Sequence, residues 1–277
     1  MNSRLVIHAT TVAACSLLST GAVAQSESQS ESRAESRAVA ATHFEFGIRS
    51  EESDTSGSSS SGSISADLIG TLPLGRFFGA SFGADYGRSR IRTRDLLEDE
   101  SGSLPGSRPS CTFDNLHSSA SLFFRQPRFG KVGITYGKGN LSADCGDASR
   151  FAISGTDDLD TDSYRADAEI YFGNFTFVAA HTKTTLEDGP ELDTTMFGAS
   201  WYPLDSLKVT VSGSDLYDED TYGLAVEHQP EMLGDSFGVR LGITTTDAEP
   251  KTRTFELGLA YYFGRKVSLQ VRDRQYR

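Results

Sequence analysis

Two short stretches hold residue types able to do covalent or metal chemistry. In "HSS" at 117–119, His117 and Ser119 stand two apart, so on an extended strand they share a face. A histidine in reach of a serine takes the hydroxyl proton, and a carboxylate orients the imidazole. Asp114 and Glu169 are conceivable orienters, but the sequence places neither beside His117. A His and a Ser two apart arise easily by chance in a Ser-rich chain, so the expectation is no catalytic residue and no enzyme. In "GTDDLDTDS" at 155–163, Asp158, Asp160 and Asp162 make a D-x-D-x-D run. Such spacing can wrap oxygen ligands around Ca²⁺, but Ser163 occupies the position where an EF-hand requires glycine. The run reads as a solvated acidic loop. With no Cys or His cluster elsewhere, no metal and no cofactor are expected.

The remaining charge makes sense only on strands. From His43 onward the dominant period is two: Val132, Ile134 and Tyr136 alternate with small or polar residues, as do Phe255, Leu257, Leu259, Tyr261 and Phe263. No segment keeps helical spacing. The opposite parity carries acids, namely Glu45, Asp67, Asp85, Asp167, Glu169, Glu227 and Glu256. It also carries Arg49, Arg125, Arg165, Arg240 and, near the C-terminus, Arg272. If the apolar parity faces lipid, these charges line a lumen and select permeants by charge and size. The rival arrangement pairs them into a plug of salt bridges.

One row breaks the pattern. In "FFGASFGADYGRSRIRTRD" (77–95), Arg88, Arg90, Arg92 and Arg94 continue the parity of Phe78, Phe82 and Tyr86. A spanning strand needs about 9–11 residues, so from Phe77 the hydrocarbon is crossed by Tyr86 or Gly87. If the strand crosses an outer membrane and the parity holds, the arginines face lipopolysaccharide phosphates, which suit the guanidinium fork. A β-bulge near Gly87 would instead turn them into the pore mouth, and a solvated hairpin extension is the plainest alternative.

The chain has 277 residues and a net charge of -12, which argues against nucleic acid as a partner. Residues 1–24 read as a secretory signal, ending in "AVA" before Gln25. "VAAC" at 12–15 loosely fits a lipoprotein cleavage box at Cys15, but the apolar run before it is short and interrupted. Residues 25–41 are polar, low in complexity and expected to be disordered. Residues 42–277 form the remaining domain. Signal removal leaves Cys111 and Cys145, an exported even pair that invites a disulfide.

Short turns such as "PLGR" (73–76) and "FGN" (172–174) alternate with longer acidic loops, and aromatics crowd the short-turn ends: Phe77, Phe129, Phe172, Phe175, Trp201, Tyr202, Tyr262 and Phe263. With the signal, the dyad repeats and "ELGLAYYF" at 256–263, the chain resembles the porin-like outer-membrane β-barrels of Gram-negative bacteria. The resemblance covers about residues 42–276 and is one of pattern rather than of a sharp motif. It implies an all-β, up-and-down antiparallel transmembrane barrel of about 12 strands. The implied function is passive diffusion of small hydrophilic solutes or ions, by a monomer or weak oligomer in contact with outer-membrane lipid and lipopolysaccharide. Such chains usually end at the terminal aromatic. This one continues through "GRKVSLQVRDRQYR", which alternates and reads as one strand more than an even number allows. The rival functions are a non-conducting surface barrel acting through its outer loops and a lipid-modifying hydrolase. The rival fold is a soluble β-sandwich or solenoid, since period two alone cannot say which face meets water.

Overall fold

Strands of alternating residues can bury either parity, so the closure of the sheet and the exposure of each face decide the fold. The computed structural model describes residues 38–55, 59–93, 110–144, 159–187, 189–216, 219–247 and 251–277. Twelve strands run in chain order: β1 (His43–Thr55), β2 (Ser59–Pro73), β3 (Phe78–Thr93), β4 (Ser110–Gln126), β5 (Gly130–Asp144) and β6 (Leu159–Phe172). They continue as β7 (Phe175–Leu186), β8 (Glu191–Leu204), β9 (Leu207–Leu216), β10 (Glu219–His228), β11 (Phe237–Thr246) and β12 (Thr252–Phe263). Each pairs antiparallel with its sequence neighbours, and β1 pairs with β12, closing the barrel. Closure removes every sheet edge, which is the condition for strands to cross a membrane.

The exposed parity is apolar. Phe44, Phe82, Leu122, Ile134, Ile170, Phe197, Leu241 and Leu257 all project outward and are largely exposed. A soluble sheet would hide this face, so a continuous apolar belt around a closed ring selects the membrane barrel over the sandwich. The walls differ in height. β3 and β4 run 16 and 17 residues, whereas β9, β10 and β11 run 10 each. Ten residues just span the hydrocarbon, so the taller hairpin rises beyond it.

The segment read as a surplus strand, 266–276, is not one. Leu269–Gln275 forms a short helix, α1, capped by Ser268, whose hydroxyl accepts from the Val271 N–H at 3.4 Å. The reason is global: β1 and β12 already satisfy each other, so a thirteenth strand has no edge to join. Gly264, at φ +105°, ends β12 in a left-handed conformation that favours glycine. After it the chain turns back into the bore.

Candidate functional site

Every strand sends its second parity into the bore, and the bore has two zones. At the short-turn end it is filled by residues 38–41 and by α1 with its flanking tail. Val39, Leu269, Gln270, Arg272 and Asp273 are fully buried there. Backbone bonds fix the filling to the turns and to itself: Ala38 N–H donates to Arg76 O at 2.7 Å, Gln270 N–H to Asp205 O at 3.2 Å and Ala40 N–H to Gln275 O at 2.9 Å.

Charge anchors it further. Arg277, the last residue, donates to Glu45 through Nε (2.7 Å) and Nη2, and to Asp273 Oδ1 at 2.8 Å. Its Nη1 lies 3.6 Å from Glu227. Arg125 donates to the terminal Arg277 oxygen and to Ala38 O. Lys208 bridges Glu227 (2.6 Å) and Asp273 (3.2 Å). Arg272 stacks on the Tyr262 ring, 3.6 Å from its centroid, and donates to Gln229 and to Asp235 O. Burial pushes the Asp273 carboxyl up to about 6, against the opposing pull of Lys208 and Arg277. Among the described residues the buried Gln270 amide finds no hydrogen-bond partner.

Beyond this stopper the bore is a polar cavity open to solvent, lined by Glu45, Arg49, Asp67, Asp85, Arg165 and Asp167 among others. Glu169, Glu227 and Arg240 also reach it. The charges form ladders along the wall. Arg49 meets Asp67 (3.8 Å) and Glu256 (3.3 Å), and Glu256 accepts from Arg240 at 2.7 Å. On the far wall Lys131 meets Glu169 at 2.6 Å and Asp167 at 3.8 Å, and Arg165 meets Asp167 at 3.7 Å. Five strands separate β12 from β6 in either direction round the ring, so the two ladders face each other across it. These pairs join neighbouring strands or, for Arg165 and Asp167, stay within one, rather than crossing the bore. The tail, not a salt-bridge plug, closes the short-turn end. Arg125 and Arg272 therefore belong to the stopper and not to an open pore lining.

The aromatic girdle holds in part. Phe129, Phe172, Phe175, Trp201 and Phe263 face outward, whereas Tyr202 and Tyr262 are buried against the tail. Consecutive strand residues point to opposite sides, so Trp201 and Tyr202 cannot share a girdle. At the other end of the belt, tyrosines meet charge. Tyr86 donates to Asp114 at 2.6 Å, and Arg88 lies 3.4 Å from the same carboxylate. Arg88 and Arg90 are exposed on β3, and no register shift interrupts β3 against β2 or β4 at Gly87. Arg92 belongs to the strand, and Arg94 lies outside the described residues.

The described part of the acidic run is strand and not loop. Asp160 and Asp162 sit on β6, where Asp160 meets Lys138 at 3.2 Å and Asp162 accepts from Tyr136. Asp158 lies outside the described residues, and among those described no group of acids, His and Cys could hold a metal. Cys111 is in β4, and Cys145 lies outside the described residues.

His117 does not pair with Ser119. Its Nδ1 lies 3.2 Å from Asp85 Oδ1 on β3, and its Nε2 lies 3.4 Å from Ser163 Oγ on β6. Asp114 is on the outer surface with Tyr86, and Glu169 accepts from the Tyr171 hydroxyl near the stopper. Neither can orient His117.

No protein-family model and no curated protein matches the chain. Solved structures do. The COG4313 outer membrane channel from Pseudomonas putida F1 superposes with a TM-score of 0.59 at 9% identity, over 82% of this chain and 98% of that one. This is an outer-membrane β-barrel fold. The beta domain of the Bordetella autotransporter BrkA (TM-score 0.51, 8% identity, 80% and 99% covered) is similar. So is the translocator domain of the autotransporter NalP from Neisseria meningitidis (0.50, 10%, 80% and 88%).

Sequence reasoning missed Lys131 and Lys208 as inward cations and the role of Arg277. Lys208 was visible in the pattern, since it alternates with Leu207 and Val209. Arg277 carried no local signal.

Proposed function

We propose that the protein is a porin-like channel in the outer membrane of a Gram-negative bacterium, passing small hydrophilic solutes or ions by passive diffusion. The observation that carries this reading is the inverted barrel, with an apolar belt outside and a charged bore inside. One of the solved structures it resembles is described as an outer membrane channel. The short turns mark the periplasmic end, so the tail stands as a stopper in the periplasmic mouth. Ion pairs contribute to its seat, and among the described residues its buried Gln270 amide has no hydrogen-bond partner, which suits a part that leaves its seat. A second reading follows from the same stopper: a non-conducting barrel acting through its outer loops.

Planar-bilayer recording of the full chain beside a chain ending at Gly264 separates the two. The shortened barrel is expected to give steady current steps, and the full chain smaller or rarer ones. A shortened barrel that still shows heat-modifiable migration but gives no step above baseline would sink the channel reading.

Four further assignments belong to this reading. Residues 1–24 act as the export signal, and the barrel works as a monomer or weak oligomer. Arg88 and Arg90, and by continuation Arg92 and Arg94, meet lipopolysaccharide phosphates. Charge reversal at Arg88 and Arg90 should reduce co-purifying lipopolysaccharide, whereas a change in ion selectivity alone would reject the assignment. Cys111 pairs with Cys145. In support, Thr112 lies opposite Asp144 at the end of the β4–β5 ladder, and in the sequence each of these two adjoins one of the cysteines.

A further inference from the structure

We propose that Asp85, His117 and Ser163 form a serine-nucleophile triad on the bore wall, acting on carboxylic esters small and soluble enough to enter the bore. The proposal rests on the reading of the bore as open to solutes.

The three residues come from three strands. Asp85 lies opposite His117 in the β3–β4 register, and Ser163 is two strands from His117, beyond β5. That gap closes only because β5 presents Gly137 between them. A Cβ on Gly137 would overlap His117 Nε2, and would lie 2.5 Å from Ser163 Oγ. Each imidazole nitrogen therefore has its own partner, carboxylate on one side and hydroxyl on the other. This is the role pattern by which a serine is activated: acid orients base, base faces nucleophile. The His–Ser separation of 3.4 Å is loose, as is common without substrate.

The surroundings fit a slender substrate. The inward row of β5 includes Gly133, Gly137 and Gly139, so bare backbone forms a shelf beside the triad. All three triad side chains line the cavity above the stopper. They face the bore rather than lipid, which favours a water-soluble ester over a phospholipid.

In the reaction, Ser163 Oγ adds to the ester carbonyl carbon and its proton passes to His117 Nε2. The carbonyl re-forms as the bond to the alcohol oxygen breaks, and that oxygen takes the proton from His117. Water then attacks the acyl-serine with His117 as base, releasing the carboxylic acid and restoring Ser163. Asp85 acts through His117 and is a positioning residue. The backbone of β5 is committed to its two ladders around this point, so it offers no ready oxyanion hole. Turnover is therefore slow, and covalent capture is the better readout.

The test treats the full-length folded barrel in detergent with a small fluorophosphonate and maps the adduct by mass spectrometry. A single adduct on Ser163 is expected. Ser163→Ala should abolish it, and His117→Gln should slow it at least tenfold. Asp85→Asn should slow it several-fold, with Asp85→Glu retaining more than Asp85→Asn. Ser119→Ala should label as the native chain does. Heat-modifiable migration confirms the fold of each variant, and if His117→Gln does not fold, Ser163→Ala against Ser119→Ala still decides. No adduct, an adduct elsewhere, or labelling indifferent to His117→Gln overturns the triad. A barrel that conducts without labelling removes the triad and leaves the channel. A barrel that labels without conducting does the reverse.

Discussion

Replacing Arg277 by alanine should release the tail. The guanidinium lies among three buried carboxylates: Glu45, Asp273 and, further off, Glu227. Its side chain is only 4% exposed, and that of Glu45 only 6%. Removing one partner of a buried pair leaves the other charge without compensation, at a cost of about 3–5 kcal/mol. Since each 1.4 kcal/mol is about tenfold, the docked-to-undocked ratio should fall by roughly two to three and a half powers of ten. Two assays read this. In planar bilayers at pH 7 the open fraction should rise toward that of the chain ending at Gly264. In limited trypsinolysis, cleavage after Arg272, fully buried when docked, should accelerate. Arg277→Lys keeps the charge but loses the fork, so it should fall between. An Arg277→Ala barrel with native open fraction and native protection at Arg272 would refute the argument that this ion cluster seats the tail.

Asp273 gives the seat a pH dependence. Its carboxyl is raised from 3.8 to about 6 when docked, so the docked state holds an extra proton between those values. That contribution is complete below about 3.8 and lost as pH rises through about 6. Open fraction should therefore increase from pH 4 to pH 7, and Asp273→Asn should flatten the profile. Ile134→Arg places a charge on the lipid face and should cost about 2–4 kcal/mol in urea unfolding from vesicles, with Thr135→Lys on the bore face costing much less. Gly137→Ala should displace the His117 ring at a cost of about 1 kcal/mol. The barrel should keep its heat-modifiable migration while Ser163 capture falls.

Much of the ring was legible because its rule is local. Ile134 and Thr135 declare opposite faces by position alone, and the same alternation put Arg49, Arg240 and Glu256 inside. The tail was not legible for the opposite reason. Val267, Leu269 and Val271 alternate as well as any strand, and only the completed β1–β12 seam denies them an edge. Tyr202 and Tyr262 were within reach of the parity rule and were misplaced by grouping aromatics by position in the chain. The His117 site was half legible. The imidazole stood out, but its partners lie 32 and 46 residues away and are joined to it through strand register.

The stopper draws its holds from distant parts of the ring: Glu45 from β1, Arg125 from β4, Lys208 from β9, Glu227 from β10 and Tyr262 from β12. No subset of hairpins presents that set, so the tail has nowhere to settle until the last seam is sewn. Its arrival inside is thus a certificate of completed assembly. A quality-control protease that trims an exposed tail would find it in every barrel that never finished closing, and in finished barrels only while the tail is undocked.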